Sequence, residues 1–153
     1  MIRYHILNSR EVKRVKELLL EQFGFSGELP YVFLKNNKEK LFITHRDMEH
    51  VHMEQLRVDA IGLYFATLET DTIRLSLEGS QIIGQQAKKN IIVLDDTQFK
   101  AYITGKEVEL KTEMLPGIYI VQHGIDYAGC CKISGKKLTP FIPKSRRLKV
   151  LNA

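Results

Sequence analysis

The stretch that decides the fold runs from Gly117 to Leu148 and reads "GIYIVQHGIDYAGCCKISGKKLTPFIPKSRRL". Runs rich in apolar, β-branched and aromatic residues alternate in it with turn residues at His123-Gly124 and at Gly135, which is typical of strands joined by tight turns. The pattern predicts three short strands, in "GIYIVQ", "YAGCCKIS" and "KLTPFI". Short strands of this kind favour a small β-barrel in the C-terminal part of the chain.

The same part of the chain is strongly basic. Seven Lys and Arg residues lie between residues 131 and 149, and no acidic residue occurs from Tyr127 to Ala153. Residues 1–79 carry 11 basic and 12 acidic side chains, a net charge of −1, whereas residues 80–153 carry 12 and 6, a net charge of +6. Because Lys and Arg contacts to phosphates release condensed counterions, this asymmetry indicates a polyanionic partner. Charge that only keeps the protein in solution is the alternative interpretation.

The residues before this stretch predict a mixed α and β unit. "NSREVKRVKELLLEQF" has an N-cap at Asn8, a Glu three residues on and apolar residues at helical spacing. It predicts one amphipathic helix that Gly24 ends. Strand patterns follow at 31–35, 40–44, 60–69 and 72–78.

Three further segments complete the predicted order. "EGSQIIG" (78–84) predicts a short helix or turn, "KKNIIVLDD" (88–96) a strand, and Asp96 to Thr104 a capped helix closed by Gly105. We place a boundary between Glu69 and Thr72, which gives domains at 1–71 and 72–153. Since no linker rich in Pro, Gly or Ser separates them, the two domains are expected to pack against each other.

The histidines of "HRDMEHVH" are the candidate metal ligands. His45, His50 and His52 lie close to Asp47 and Glu49. Their spacings of five and two residues do not bring three ligands together on one helix or strand. Surface histidines in a loop are the favoured interpretation, and the sequence predicts no metal and no other cofactor.

Adjacent Cys130 and Cys131 are the candidate nucleophiles, with His123 one hairpin turn away as a candidate base. The sequence supplies neither an orienting third group nor an oxyanion hole, so no catalytic residue is predicted. The absence of spaced cysteines favours a reducing compartment. The N-terminus lacks the apolar run of a signal peptide, and no long apolar stretch follows, so we expect a cytoplasmic protein that does not enter the membrane.

"EGSQIIG" has the look of a phosphate loop but lacks the Lys-Ser/Thr of a Walker motif and the three-glycine dinucleotide pattern. Its backbone amides and small polar side chains suit contact with a phosphate or a base.

Together with "IRLSLEGSQIIG", the stretch from Gly117 to Leu148 resembles a PUA domain, the small RNA-binding β-barrel of pseudouridine synthases and archaeosine transglycosylases. The shared features are a glycine-bounded turn after the first strand, a "G-I-x-I-V" strand, and a late strand with glycine among hydrophobic residues, Ala128 to Ile133. The whole chain looks like stand-alone archaeal proteins similar to the C-terminal region of Sun/Fmu-type rRNA cytosine methyltransferases. The resemblance implies an α+β fold in which an N-terminal α/β pre-PUA domain packs on a C-terminal PUA-type small β-barrel.

The resemblance implies binding of structured RNA, either rRNA or tRNA, in ribosome biogenesis or RNA modification. The chain has no glycine-rich S-adenosylmethionine loop and no Pro-Cys or Thr-Cys dipeptide, so we expect the binding part alone and no enzyme. A subunit of an RNA-modifying enzyme, or an interaction module for ribosome-assembly or RNA-modification proteins, remains an alternative.

In PUA domains the RNA lies against the turn after the first strand and against the terminal strand. With the basic residues of the C-terminal half, the predicted RNA-binding residues are Ser80, Gln81, Gly84, Lys88, Lys89, Lys132, Lys136, Lys137, Lys144, Ser145, Arg146 and Arg147.

Overall fold

The computed structural model describes residues 3–45 and 62–147. Its N-terminal part is a five-stranded antiparallel sheet in which the strands follow their order in the chain. The strands are β1 (Tyr4–Ile6), β2 (Val32–Asn36), β3 (Lys40–Thr44), β4 (Leu63–Leu68) and β5 (Ile73–Leu75), and helix α1 (Ser9–Phe23) lies between β1 and β2 in sequence. The two predicted strand pairs, at 31–35 with 40–44 and at 60–69 with 72–78, correspond to β2–β3 and β4–β5 and are confirmed.

Helix α1 begins and ends where the sequence predicts. The Asn8 side chain accepts the N–H of Glu11 at 2.9 Å, and the Glu11 carboxylate accepts the N–H of Asn8 at 3.1 Å. Gly24 ends the helix in the left-handed conformation at φ 63°. The apolar face buries Val15, Leu18, Leu19 and Phe23 against the sheet. Gln22 also exchanges two hydrogen bonds with the backbone of Ile73, at 2.6 and 3.0 Å, and so fixes the edge strand β5 to the helix.

The C-terminal part contains a three-stranded sheet in the order β6, β7, β8. The strands are β6 (Ile91–Val93), β7 (Val108–His123) and β8 (Asp126–Pro140), and β6 runs parallel to β7 while β7 and β8 are antiparallel. Two helices, α2 (Leu77–Ile83) and α3 (Asp96–Ile103), and short 3-10 turns at Gly84–Gln86 and Lys144–Arg146 complete it. The sequence predicted a short helix or turn at 78–84, where α2 lies, and a capped helix from Asp96 to Thr104, where α3 lies with Asp95 as its N-cap.

The prediction of three short strands after Gly117 is wrong. Two long strands form one hairpin, and β7 starts nine residues earlier, at Val108. Gly117 (φ 156°) and Gly135 (φ 63°) lie at irregularities in the β7–β8 register, so they bend the ladder without ending it. The closed barrel remains a prediction, because the second sheet has three strands within the described residues.

The two sheets share hydrophobic core. Ile83 of α2, Ile120 of β7 and Cys130 of β8 pack in one buried cluster with Leu19 and Phe65 of the N-terminal part. Strand β5 pairs with β4, so the first sheet extends beyond residue 71, where the sequence placed the end of the first domain. Within residues 3–45 and 62–147, no helix is both long enough and apolar enough to cross a membrane.

Candidate nucleic-acid interface

Ser80 is a packing residue of α2. Its side chain is fully buried, its hydroxyl accepts the N–H of Gly129 at 2.7 Å, and it donates to the carbonyl of Leu77 at 2.7 Å. A buried hydroxyl with both hydrogen bonds made inside the protein is not available to RNA at the surface. The predicted contact of Ser80 with RNA is therefore corrected.

Gly79 of α2 and Gly84, which follows the helix, have a packing role as well. A Cβ at Gly79 would lie 2.1 Å from the carbonyl oxygen of Phe65 on β4, and a Cβ at Gly84 would lie 2.4 Å from the Tyr127 ring on β8. Helix α2 thus needs small residues because it is held closely between the two sheets. Gly84 is also buried, so its predicted contact with RNA is corrected for the same reason as that of Ser80. Gln81 is exposed and stays a candidate for RNA contact.

Lys88 and Lys89 lie at the C-terminal end of α1. Their backbone N–H groups donate to the carbonyl of Phe23 at 2.8 and 3.2 Å, while both side chains are exposed. Positive charge at this end of a helix is favourable, since the unpaired carbonyls carry partial negative charge. The two side chains have a structural reason to be basic, and they remain open to a phosphate.

Strand β8 presents the next three candidates. Lys132 is exposed between the buried Cys131 and Ile133, as expected for alternation along a strand. Lys136 and Lys137 are exposed further along, and the Lys137 ammonium lies 3.0 Å from the Glu107 carboxylate. Because both partners of this pair are well exposed, it holds Lys137 only weakly.

The 3-10 turn that follows β8 holds the last candidates. Lys144 and Ser145 are exposed, and Arg146 pairs with Glu78 of α2 at 2.9 Å. The Nε of Arg147 donates to the carbonyl of Ile142 at 2.9 Å, and its side chain covers Gly105. Arg147 thus fastens this turn to the domain, whereas Arg146 is held by an ion pair that a phosphate could replace.

Sequence reasoning missed a cavity of about 430 Å³ between the two sheets, which we call the inter-sheet cavity. Its walls are mainly apolar and aromatic, and three basic side chains line it. Lys40 and Arg74 come from the first sheet, whereas Arg146 comes from the turn after β8. Because these residues are far apart in the chain, no motif could reveal the cavity.

The candidate nucleophiles are buried thiols. Burial raises the pKa of the Cys130 thiol from 9.0 to about 12, and burial together with the adjacent Cys130 raises the pKa of Cys131. The candidate base, His123, stacks on Phe99 with ring centroids 4.2 Å apart, and its Nε2 lies 2.7 Å from Asp96. The His123 ring therefore contacts two residues of α3, Phe99 and Asp96.

Of the three histidines considered as metal ligands, the structure describes one. His45 is exposed at the end of β3, and His50 and His52 lie outside the described residues. Across 3–45 and 62–147, no group of three His, Cys, Asp or Glu side chains is placed to hold a metal ion.

Comparison with known families gives a match that falls on the second sheet. Residues 89–148 match the family model described as the methyltransferase RsmF PUA domain. The chain carries a PUA domain. This PUA domain is related to Sun/Fmu-type methyltransferases, as the sequence resemblance implied. No curated protein matches the chain.

The matched segment contains the lysines of β8 and the turn Lys144–Arg146, and it leaves out α2. A PUA domain is an RNA-binding module, so the exposed basic residues of the match are the strongest candidates for RNA contact.

Proposed function

We propose that this protein binds structured RNA, of the rRNA or tRNA type, and acts in RNA modification or ribosome biogenesis without catalysing a reaction itself. The match to the RsmF PUA domain carries the proposal. The matched residues 89–148 hold 10 Lys and Arg against 6 Asp and Glu, a net charge of +4. An RNA-binding module with this surplus is suited to phosphate contacts that position a folded RNA.

The state of the two thiols supports a binding role. A cysteine nucleophile reacts as the thiolate, and the raised pKa of Cys130 keeps it protonated at neutral pH. Both thiols lie in the buried core, where a substrate would have to displace packed side chains. A role in packing accounts for them.

Charge reversal on β8 tests the proposal. Lys132→Glu with Lys136→Glu is expected to weaken binding of a base-paired RNA by about 2 to 4 kcal/mol, since it removes two charge-assisted contacts and adds repulsion. Fluorescence anisotropy with a labelled RNA duplex measures the change. Lys13→Glu with Lys16→Glu on the exposed face of α1 is the matched control, and it is expected to cost less than about 1 kcal/mol.

Equal losses in the two variants would place the RNA across both sheets. No binding of RNA by the unmodified protein would contradict the proposal as a whole.

A further inference from the structure

A groove runs along one side of α1, in the part of the chain that the family match leaves out. Two adjoining depressions of about 410 and 190 Å³ form it, and Lys13 and Lys16 line both of them. We call it the α1 groove. It follows the helix from Ser9 to Leu20, a distance of about 16 Å at the usual rise per residue. An extended chain covers this distance with about five residues.

One end of the α1 groove lies where the edge of the first sheet is open. Strand β1 ends at Ile6, and just beyond it the N–H of Leu7 donates to the carbonyl of Phe33 at 2.9 Å. Tyr31 and Val32 lie past this hydrogen bond, where β1 does not reach them, and both line the groove. The open edge of a sheet is a place where a further extended segment can lie.

Apolar side chains lie at both ends of the α1 groove. Ile6 is 37% exposed at the end next to β1, and Leu20 is 52% exposed at the other end. Val12 and Tyr31, which are half-buried, add apolar surface near the first end. Apolar surface rimmed by charged side chains is typical of sites that bind another protein.

Two lysines lie between these apolar ends. Lys13 and Lys16 are exposed, and in the described part of the chain neither ammonium group pairs with a carboxylate. Glu17 also lines the groove, but its carboxylate lies 3.8 Å from the guanidinium of Arg14. Arg14 lies close to Asp71 as well, at 3.9 Å. The charge that complements the middle of the groove is therefore a carboxylate of a partner.

The charge of this half of the molecule favours a protein over RNA as the occupant. Residues 1–79 carry a net charge of −1, so they do not attract a polyanion as residues 80–153 do with a net charge of +6. A nucleic acid presents charge along its whole length, whereas the α1 groove offers two cations flanked by apolar side chains. This pattern suits a short peptide with acidic residues in its middle.

We propose that the α1 groove binds an extended acidic segment of a partner protein in which apolar residues flank the acidic ones. The carboxylates of the segment pair with Lys13 and Lys16, and its apolar side chains pack on Ile6 and Leu20. The groove lies outside residues 89–148, so it remains accessible while the PUA domain holds RNA. The partner is thereby brought to the RNA without competing for it.

Selection of random 12-residue peptides displayed on phage against the full chain tests the proposal. We expect the enriched peptides to be acidic and to carry apolar residues on both sides of the acids. The most enriched peptide is then synthesised with a fluorescent label, and its affinity is measured by anisotropy. Lys13→Glu with Lys16→Glu is expected to weaken its binding at least about fivefold, because two ion pairs are lost and repulsion is added.

Two further variants separate charge from apolar contact. Lys132→Glu with Lys136→Glu makes the same change of charge on β8 and is the matched control, which is expected to leave the affinity for the peptide unchanged. Leu20→Ser removes one apolar end without a change of charge and is expected to weaken peptide binding about threefold.

Several results would overturn the proposal. It is wrong if no peptide is enriched, if the enriched peptides are neutral or basic, or if Lys13→Glu with Lys16→Glu binds the peptide as well as the unmodified protein does. Displacement of the peptide by an RNA duplex would make the groove part of the RNA surface instead. Dimers of the full chain in sedimentation velocity that the same double variant abolishes would assign the groove to a second copy. Loss of RNA binding with peptide binding intact would contradict the proposed function alone.

Discussion

The hydroxyl of Ser80 accepts the backbone N–H of Gly129 at 2.7 Å, and this buried hydrogen bond joins α2 to β8. Ser80→Ala leaves that N–H without its partner, which is expected to lower the free energy of unfolding by about 1 to 3 kcal/mol. Urea unfolding measures the loss. Gln81→Ala, at the exposed neighbouring position, serves as control and is expected to stay within about 0.5 kcal/mol of the unmodified protein. Unchanged stability of Ser80→Ala would contradict this role.

Gly84→Ala is expected to destabilise the protein by about 1 to 3 kcal/mol, because the added Cβ would lie 2.4 Å from the Tyr127 ring. Chemical denaturation of the single variants Gly84→Ala and Tyr127→Leu and of the double variant measures the coupling between the two positions. The smaller Leu side chain is expected to relieve part of the clash. Additive effects of the two changes would show that Gly84 does not owe its identity to this contact.

Stability is expected to fall above about pH 9. Burial holds the pKa of Cys130 at about 12 in the folded protein, against an ordinary value of 9.0, and it also raises the pKa values of Cys131 and Tyr102. The unfolded chain therefore releases these protons first, which costs the folded state about 1 kcal/mol per thiol between pH 9 and pH 10. Unfolding curves at several pH values measure the slope, and Cys130→Ala with Cys131→Ala is expected to reduce it. A slope that the double variant leaves unchanged would exclude the thiols as its cause.

Affinity for a base-paired RNA is expected to depend strongly on salt. If several of the exposed basic residues contact phosphates, the logarithm of the binding constant falls with the logarithm of salt concentration at a slope of about −3 to −5. Titrations at increasing potassium chloride measure it. A slope near zero would mean that phosphate contacts do not drive binding.

Glu78→Gln is expected to raise RNA affinity by about two- to fivefold, since it removes the carboxylate that pairs with Arg146 at 2.9 Å and so leaves the guanidinium for a phosphate. Competition binding against the unmodified protein gives the ratio. Glu17→Gln, which removes a carboxylate close to Arg14 on α1, is the control for general charge and is expected to change affinity less. Equal gains would mean that only net charge matters.

Local signals were sufficient for much of this fold. The capping box at Asn8 and the stop at Gly24 depend on neighbours in sequence, and both were predicted at their observed positions. Gly135 of β8 was misread as a turn between two strands, because a positive φ is needed equally at a turn and at a bulge. Only the pairing partner distinguishes the two.

The candidate site was harder to predict for a related reason. Small residues in "EGSQIIG" suit a phosphate-binding turn and also a helix held between two sheets, and the choice depends on Phe65 and Tyr127, which lie far away in sequence. The lining of the inter-sheet cavity likewise joins Lys40 and Arg74 to Phe141. The exposure of Lys132 between Cys131 and Ile133, by contrast, follows directly from alternation along a strand.

Hydrogen bonds around Asn90 connect the PUA domain to the C-terminal end of α1. Asn90 donates to the carbonyl of Gln22 at 2.5 Å and accepts the N–H of Ile120 at 2.8 Å, next to the N–H groups of Lys88 and Lys89 on Phe23. The match to the family begins at residue 89, among the residues that make these hydrogen bonds. A fragment that begins at residue 89 would lack α1 and would expose Ile120 and Cys130, which pack in one core with Leu19 and Phe23. We therefore expect such a fragment to fold less stably than the full chain, although it contains the whole family match.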